Sequence, residues 1–220
     1  MMRILARLCR APLVWLAVIL WLPHAAMATE IQVVRSAGGI TAWLVQEPSI
    51  PLLSVSFSFA GGASLDQPSR KGTGNLVSGL LDEGAGPYNS LAFQTRLEEL
   101  AVRMNFDADR DSFSGSLRTL SANRDAAFEL LRLALNEPHF EAEAVARIRR
   151  QILTGLIEAQ EDPNAIVAKT WFATAFPDHP YGLPSRGSIE TVKAITTEDL
   201  RGFMAKALAR DRLTIGVVGD

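Results

Sequence analysis

Cysteine is almost missing from this chain: its 220 residues contain one, Cys9, which lies before an apolar run rather than after it. That is not where an acylated lipoprotein cysteine stands, and no second thiol exists to close a disulfide. The fold must therefore rest on burial, and about 190 residues suffice for one ordinary hydrophobic core. Histidine is scarce as well. Beyond the first stretch only His139 and His179 remain, on different connecting segments. Zinc ligand sets normally include a close-spaced pair, so these two are not expected to share a metal. No heptad run, low-complexity tract or second apolar segment of spanning length is present. Asp82-Glu83-Gly84-Ala85-Gly86 lacks the lysine and hydroxyl of a phosphate-binding loop and reads as a turn. No G-x-S-x-G elbow surrounds Ser54, Ser56 or Ser58, so these serines read as the outward face of a strand.

What is present begins with an export signal. Arg3, Arg7 and Arg10 precede the apolar run Ala11 to Leu22, and Ala26-Met27-Ala28 supplies a small-x-small cleavage step, which predicts a signal peptide over residues 1–28 and a mature start at Thr29. The apolar run is too short for a transmembrane span, which takes roughly 20 residues, so no stable membrane anchor is expected. The destination is the periplasm, or the medium beyond it. Removing those three arginines from the 22 basic residues leaves 19 against 24 acids, a mature charge of −5. A mildly acidic surface excludes nucleic acid as a partner, because binding it takes a basic stripe.

The mature chain reads as α+β. Ile31 to Ser36 and Ile40 to Gln46 form a hairpin about Ala37-Gly38-Gly39. Leu53, Val55, Phe57 and Phe59 alternate with serines, which predicts a strand with one buried face. Leu76, Val77, Leu80 and Leu81 share one face of a helix over Gly74 to Leu81, and a second helix covers Ser90 to Val102. Asn105 to Arg110 and Ser112 to Leu120 pair as strands, and Ser121 caps the helix that follows. After Pro138 a long helix runs from Glu141 to about Glu161, then Pro163 opens another through Phe176. Thr196 and Asp199 box the start of a helix to Leu208. A last strand contains Leu213, Ile215 and Val217. This order implies one mixed or antiparallel sheet of about five or six strands with helices on one face. Trp43 and Trp171 read as core or boundary aromatics. The sequence stops just past the last strand, at Gly219-Asp220, which reads as a domain boundary.

Four local sequences in fixed order carry more than fold class: Gly72-Thr73-Gly74-Asn75-Leu76-Val77-Ser78-Gly79-Leu80-Leu81, Phe176-Pro177-Asp178-His179-Pro180-Tyr181-Gly182, Thr197-Glu198-Asp199-Leu200 and Val217-Val218-Gly219-Asp220. Together, over residues 31–220, they resemble the first domain of the insulinase/pitrilysin family, zinc peptidases with an inverted H-x-x-E-H motif. In that family the two histidines bind zinc and the glutamate is the general base on the metal-bound water. By that resemblance the three positions fall on Asn75, Ser78 and Gly79, and none supplies its group. The family's remaining zinc ligand, counted back from Glu161-Asp162-Pro163, falls on Gly155. Glu158 nearby reads as a solvated helix carboxylate.

The resemblance implies a non-catalytic homologue with no cofactor of its own. Zinc is expected only in a zinc-bearing sister subunit, which this chain would help to hold an extended peptide substrate. A structural or assembly subunit with a peptidase-like fold is the alternative, and an active zinc peptidase with unconventional ligands is a third.

Overall fold

The computed structural model describes residues 30–220. The expected signal peptide and its cleavage step lie outside the described residues. Six strands form one sheet: β1 (Gln32–Arg35), β2 (Thr41–Gln46), β3 (Leu52–Ala60), β4 (Arg103–Ala108), β5 (Ser112–Leu120) and β6 (Leu213–Gly219), in the order β1-β2-β6-β3-β5-β4. All neighbours are antiparallel except β2 and β6, which run parallel with Leu44 beside Val217. Seven α-helices complete the described part: α1 (Thr73–Ser78), α2 (Ser90–Glu99), α3 (Arg124–Asn136), α4 (Ala142–Glu158), α5 (Pro163–Ala175), α6 (Ile189–Ala194) and α7 (Thr197–Ala207).

The period-two pattern of β3 does what the sequence requires. Leu53, Val55, Phe57 and Phe59 are buried, while Ser54, Ser56 and Ser58 lie on the face the helices leave open. Their β5 partners continue the division, with Phe113 and Leu117 fully buried and Ser114 and Ser116 on the open side. Helix residues Leu76, Val77, Phe93, Ala127, Leu130, Leu200 and Phe203 close the core from the other layer. Gly115 is required here by space, because a Cβ would stand 2.4 Å from Phe57 Cζ. Phe57 and Phe106 instead meet edge to face across that gap, 6.2 Å between ring centroids.

Local chemistry sets the helix ends. Asp162 caps α5 by accepting from Asn164 N at 3.0 Å, with Pro163 in the first turn. Thr196 and Asp199 form the expected reciprocal box at α7. A second box, Ser188 with Thr191, opens the short helix α6, which the sequence reading missed because six residues carry too little periodicity. Several expectations are corrected. The first helix stops at Ser78 instead of Leu81, and the second at Glu99 instead of Val102, where Ala101 takes a positive φ of 51°. Ser121 does not cap α3: it begins a 3-10 turn, and its buried hydroxyl has no hydrogen-bond partner among the described residues. Trp43 and Trp171 are exposed rather than core, at 52% and 57%. Helix α5 as a whole buries no residue fully, although its sequence is largely apolar.

Candidate functional site

Helix α1 is positioned by a carboxylate that precedes it. Asp66 accepts from Gly72 N at 2.9 Å and Gly74 N at 3.0 Å, satisfying amides that the first helical turn leaves free. Burial pushes this carboxyl up to about 6, against the pull of those amides and of Lys71. Lys71 is itself buried and donates to the Ala63 carbonyl at 2.7 Å. At the far end α1 meets α4. Gly79 ends the helix with ordinary right-handed dihedrals, so its lack of a side chain is a matter of room: a Cβ there would lie 2.8 Å from Ile148 Cγ2.

Asn75, Ser78, Gly79 and Gly155 all line one cleft of about 530 Å³. Helix α4 forms one wall through Ile148, Gln151, Ile152 and Gly155, spaced so that they share a face, and its C-cap Ala159 extends that wall. Asn105 and Phe106 of the edge strand β4 form another, and Arg186 from the loop before α6 stands at one end. The two glycines differ in kind. A Cβ at Gly155 would meet nothing within 4 Å, whereas Gly79 is hemmed in. Ser78 is turned back on its own helix, donating to the Asn75 carbonyl at 2.9 Å.

Two carboxylates that sequence reasoning did not select also reach the cleft. Glu83 accepts from Ser90 Oγ at 2.5 Å and from Arg147 Nη2. Burial would raise its pKa, but the hydrogen bonds from Arg147 and Ser90 outweigh it and hold the group below the usual range. Asp82 goes the other way, raised by burial, with the neighbouring Glu83 charge adding to the effect. Only their position after the first motif, in a segment read as a turn, marked them in sequence. Asn105 and Arg186 carried no motif at all.

The donor set does not suit zinc. It offers an amide, a hydroxyl already engaged with a carbonyl, two glycines, one carboxylate paired to Arg147 and one further, partly buried carboxylate, where zinc takes imidazole, thiolate or several carboxylates together. Among the described residues no three His, Cys, Asp or Glu side chains come together as metal ligands. His139 lies elsewhere, its Nε2 donating to the Gly86 carbonyl at 2.7 Å. His179 caps a turn through Nδ1, which accepts from Tyr181 N at 3.2 Å. Glu158 is exposed and does not line the cleft. Chemically, the cleft offers groups that accept and donate hydrogen bonds, Asn75, Asn105, Gln151 and Arg186 among them. Among the described residues it presents no imidazole or thiolate to a metal and no nucleophile with an adjacent base.

Comparison with known proteins agrees with this geometry. Residues 42–188 match the family model described as Insulinase (Peptidase family M16). A protein of Helicobacter pylori described as a non-peptidase homologue, YmxG, is 25% identical over 171 residues, covering 78% of this chain and 40% of that protein. A probable mitochondrial-processing peptidase subunit beta of Arabidopsis thaliana is 23% identical over 196 residues, covering 89% of this chain and 37% of the relative. Among solved structures, a peptidase M16 inactive domain from Pseudomonas fluorescens superimposes with a TM-score of 0.82 at 29% identity, over 87% of this chain and 47% of that one. The chain thus spans less than half the length of these relatives.

Proposed function

Because this chain belongs to the insulinase family, peptidase family M16, we propose that it is a non-catalytic member that holds an extended peptide beside the active site of a zinc-bearing sister subunit. The observation that carries the reading is the convergence, in one cleft, of Asn75, Ser78, Gly79 and Gly155, the residues that the resemblance assigns to the family's metal and base positions. A solved relative is described as an inactive domain of the same peptidase family, and a curated one as a non-peptidase homologue, which supports the absence of chemistry here. Peptide holding follows from β4. It is the last strand of its sheet, so among the described residues one row of its backbone N–H and C=O groups has no strand partner, and its Asn105 and Phe106 line the cleft. An extended peptide added to such an edge gains main-chain hydrogen bonds without regard to sequence. Export through the leader at residues 1–28 would place the pair outside the cytoplasm, and zinc would reside only in the partner.

The direct test mixes the purified chain with its zinc-bearing homologue and titrates peptidase activity. The reading expects a complex and a change in rate. A homologue fully active alone, to which the added chain neither binds nor makes a difference, overturns it and favours a structural or assembly role.

A further inference from the structure

The cleft opens into a second, larger hollow of about 810 Å³, and the two share Leu156, Ala159 and Arg186. The larger one lies between the end of α4, helix α5 and the loop at residues 184–188. Its charge is lopsided. Arg110, Lys169 and Arg186 line it against a single carboxylate, Glu190, in a chain whose overall charge is negative. Glu190 is already served, accepting from Ser188 Oγ at 2.7 Å, and that hydrogen bond holds its pKa low. Among the described residues none of the three cations forms an ion pair. Arg110 is the best fixed. Its guanidinium stacks 3.6 Å from the Phe172 ring centroid, and its buried Nε has no hydrogen-bond partner among the described residues. The turn that bears it is tied down next door, where Tyr181 donates to Asp111 Oδ2 at 2.5 Å.

A pocket with a largely apolar lining, three cations in no ion pair and a stacked guanidinium matches a carboxylate on an otherwise apolar chain. We propose that this pocket receives a carboxylate of the peptide held in the adjoining cleft, with Arg186 at the junction and Arg110 and Lys169 within. The proposal rests on the peptide-holding reading and adds a polarity and a substrate class: peptides carrying a C-terminal or side-chain carboxylate a few residues beyond the stretch paired to β4.

Calorimetric titration with unlabelled peptides of about ten residues, which at about 3.3 Å per residue outrun the β4 edge, tests it. One peptide of Ala, Gln and Val ends in a free carboxylate, a second in an amide, and a third in an amide with one Glu near that end. The free acid should bind about tenfold more tightly than the amide at low salt, and less so as salt is added. Recovery of the advantage by the Glu peptide would assign the carboxylate to a side chain, and its absence to the C-terminus. In Lys169→Gln, an exposed position outside the cleft, the preference should shrink while the amide binds as before. Arg110 is left intact because its loss would also unseat Phe172. If acid and amide bind the wild type equally, or Lys169→Gln keeps the full preference, the pocket proposal falls and peptide holding stands. If no peptide binds in any form, both fall.

Discussion

Alanine at the two cleft glycines should move stability in opposite directions. At Gly79 the new Cβ stands 2.8 Å from Ile148 Cγ2, well inside the usual carbon contact of about 3.5–4.0 Å. Ile148 is buried, and a β-branched side chain on a helix has essentially one favoured rotamer, so it has little freedom to turn away. Overpacking of this kind costs about 1–3 kcal/mol, and at a helix end the gain from replacing glycine returns only part of it. A net loss of about 1–2 kcal/mol lowers Tm by about 2–8 °C for a domain of this size. Gly155 lies inside α4 with nothing within 4 Å of its would-be Cβ, so alanine there should add about 0.5–1 kcal/mol and raise Tm by about 1–4 °C. Urea and thermal denaturation of both variants measure this. A double-mutant cycle with Ile148→Ala, which removes the obstructing methyl, should show the Gly79→Ala penalty shrinking. Gly79→Ala matching the wild type in stability, or Gly155→Ala falling below it, would refute the packing argument. With it would go the corollary that restoring the metal motif is blocked sterically at position 79 and only chemically at position 155.

Asp66 should leave a signature in pH. Its folded pKa, about 6, lies above the ordinary 3.8, so the folded state holds this proton more tightly. The ionised group therefore weighs against the fold above about pH 6, and that burden of about 3 kcal/mol is relieved as pH falls from about 6 to about 4. Asp66→Asn lacks this dependence, so the stability of the wild type relative to the variant should rise over that window in urea titrations. A flat difference would refute the assignment. The purified chain should carry no stoichiometric zinc by elemental analysis and hydrolyse no peptide alone, with or without chelator; one equivalent of metal lost together with activity in Asn75→Ala would overturn that. Mass spectrometry of exported material should find Thr29 at the N-terminus, and an intact Met1 in the membrane fraction would show an anchor instead.

The buried faces were legible in sequence wherever alternation was strict, as in β3 and β5, and helix starts were legible where a proline or a capping pair marked them, as at Pro163 and Thr196. Strand neighbours were not. Leu213, Ile215 and Val217 announce a strand, but nothing local says that it lies between β2 and β3 or that it runs parallel to the former. The end of α1 was misplaced because Leu80 and Leu81 keep the apolar spacing after the backbone has turned; both are buried, in a turn rather than a helix. Counting back from Glu161-Asp162-Pro163 put Gly155 opposite Asn75 and Gly79 in one cleft, because a helix fixes distances along its own face. Asn105, Asp82, Arg110 and Arg186 escaped, since they gather only through tertiary packing. Trp43 and Trp171 were misread because hydrophobicity records a preference for burial and not whether a neighbouring surface is there to provide it.

The position of β6 bears on when this molecule becomes a folded protein at all. Residues 213–219 are made after every other described element, yet they separate β2 from β3 and, among the described residues, are the only strand holding the β1–β2 hairpin to the rest of the sheet. A nascent chain that has reached residue 212 has two half-sheets and an open seam between them. Closing that seam joins Leu44 to Val217, a contact between the two ends of the domain whose loop entropy must be met in a single late step. Until then both edges of the seam stay open to proteases and chaperones. Losing the last seven-residue strand should therefore do more harm than losing the whole hairpin at the other end.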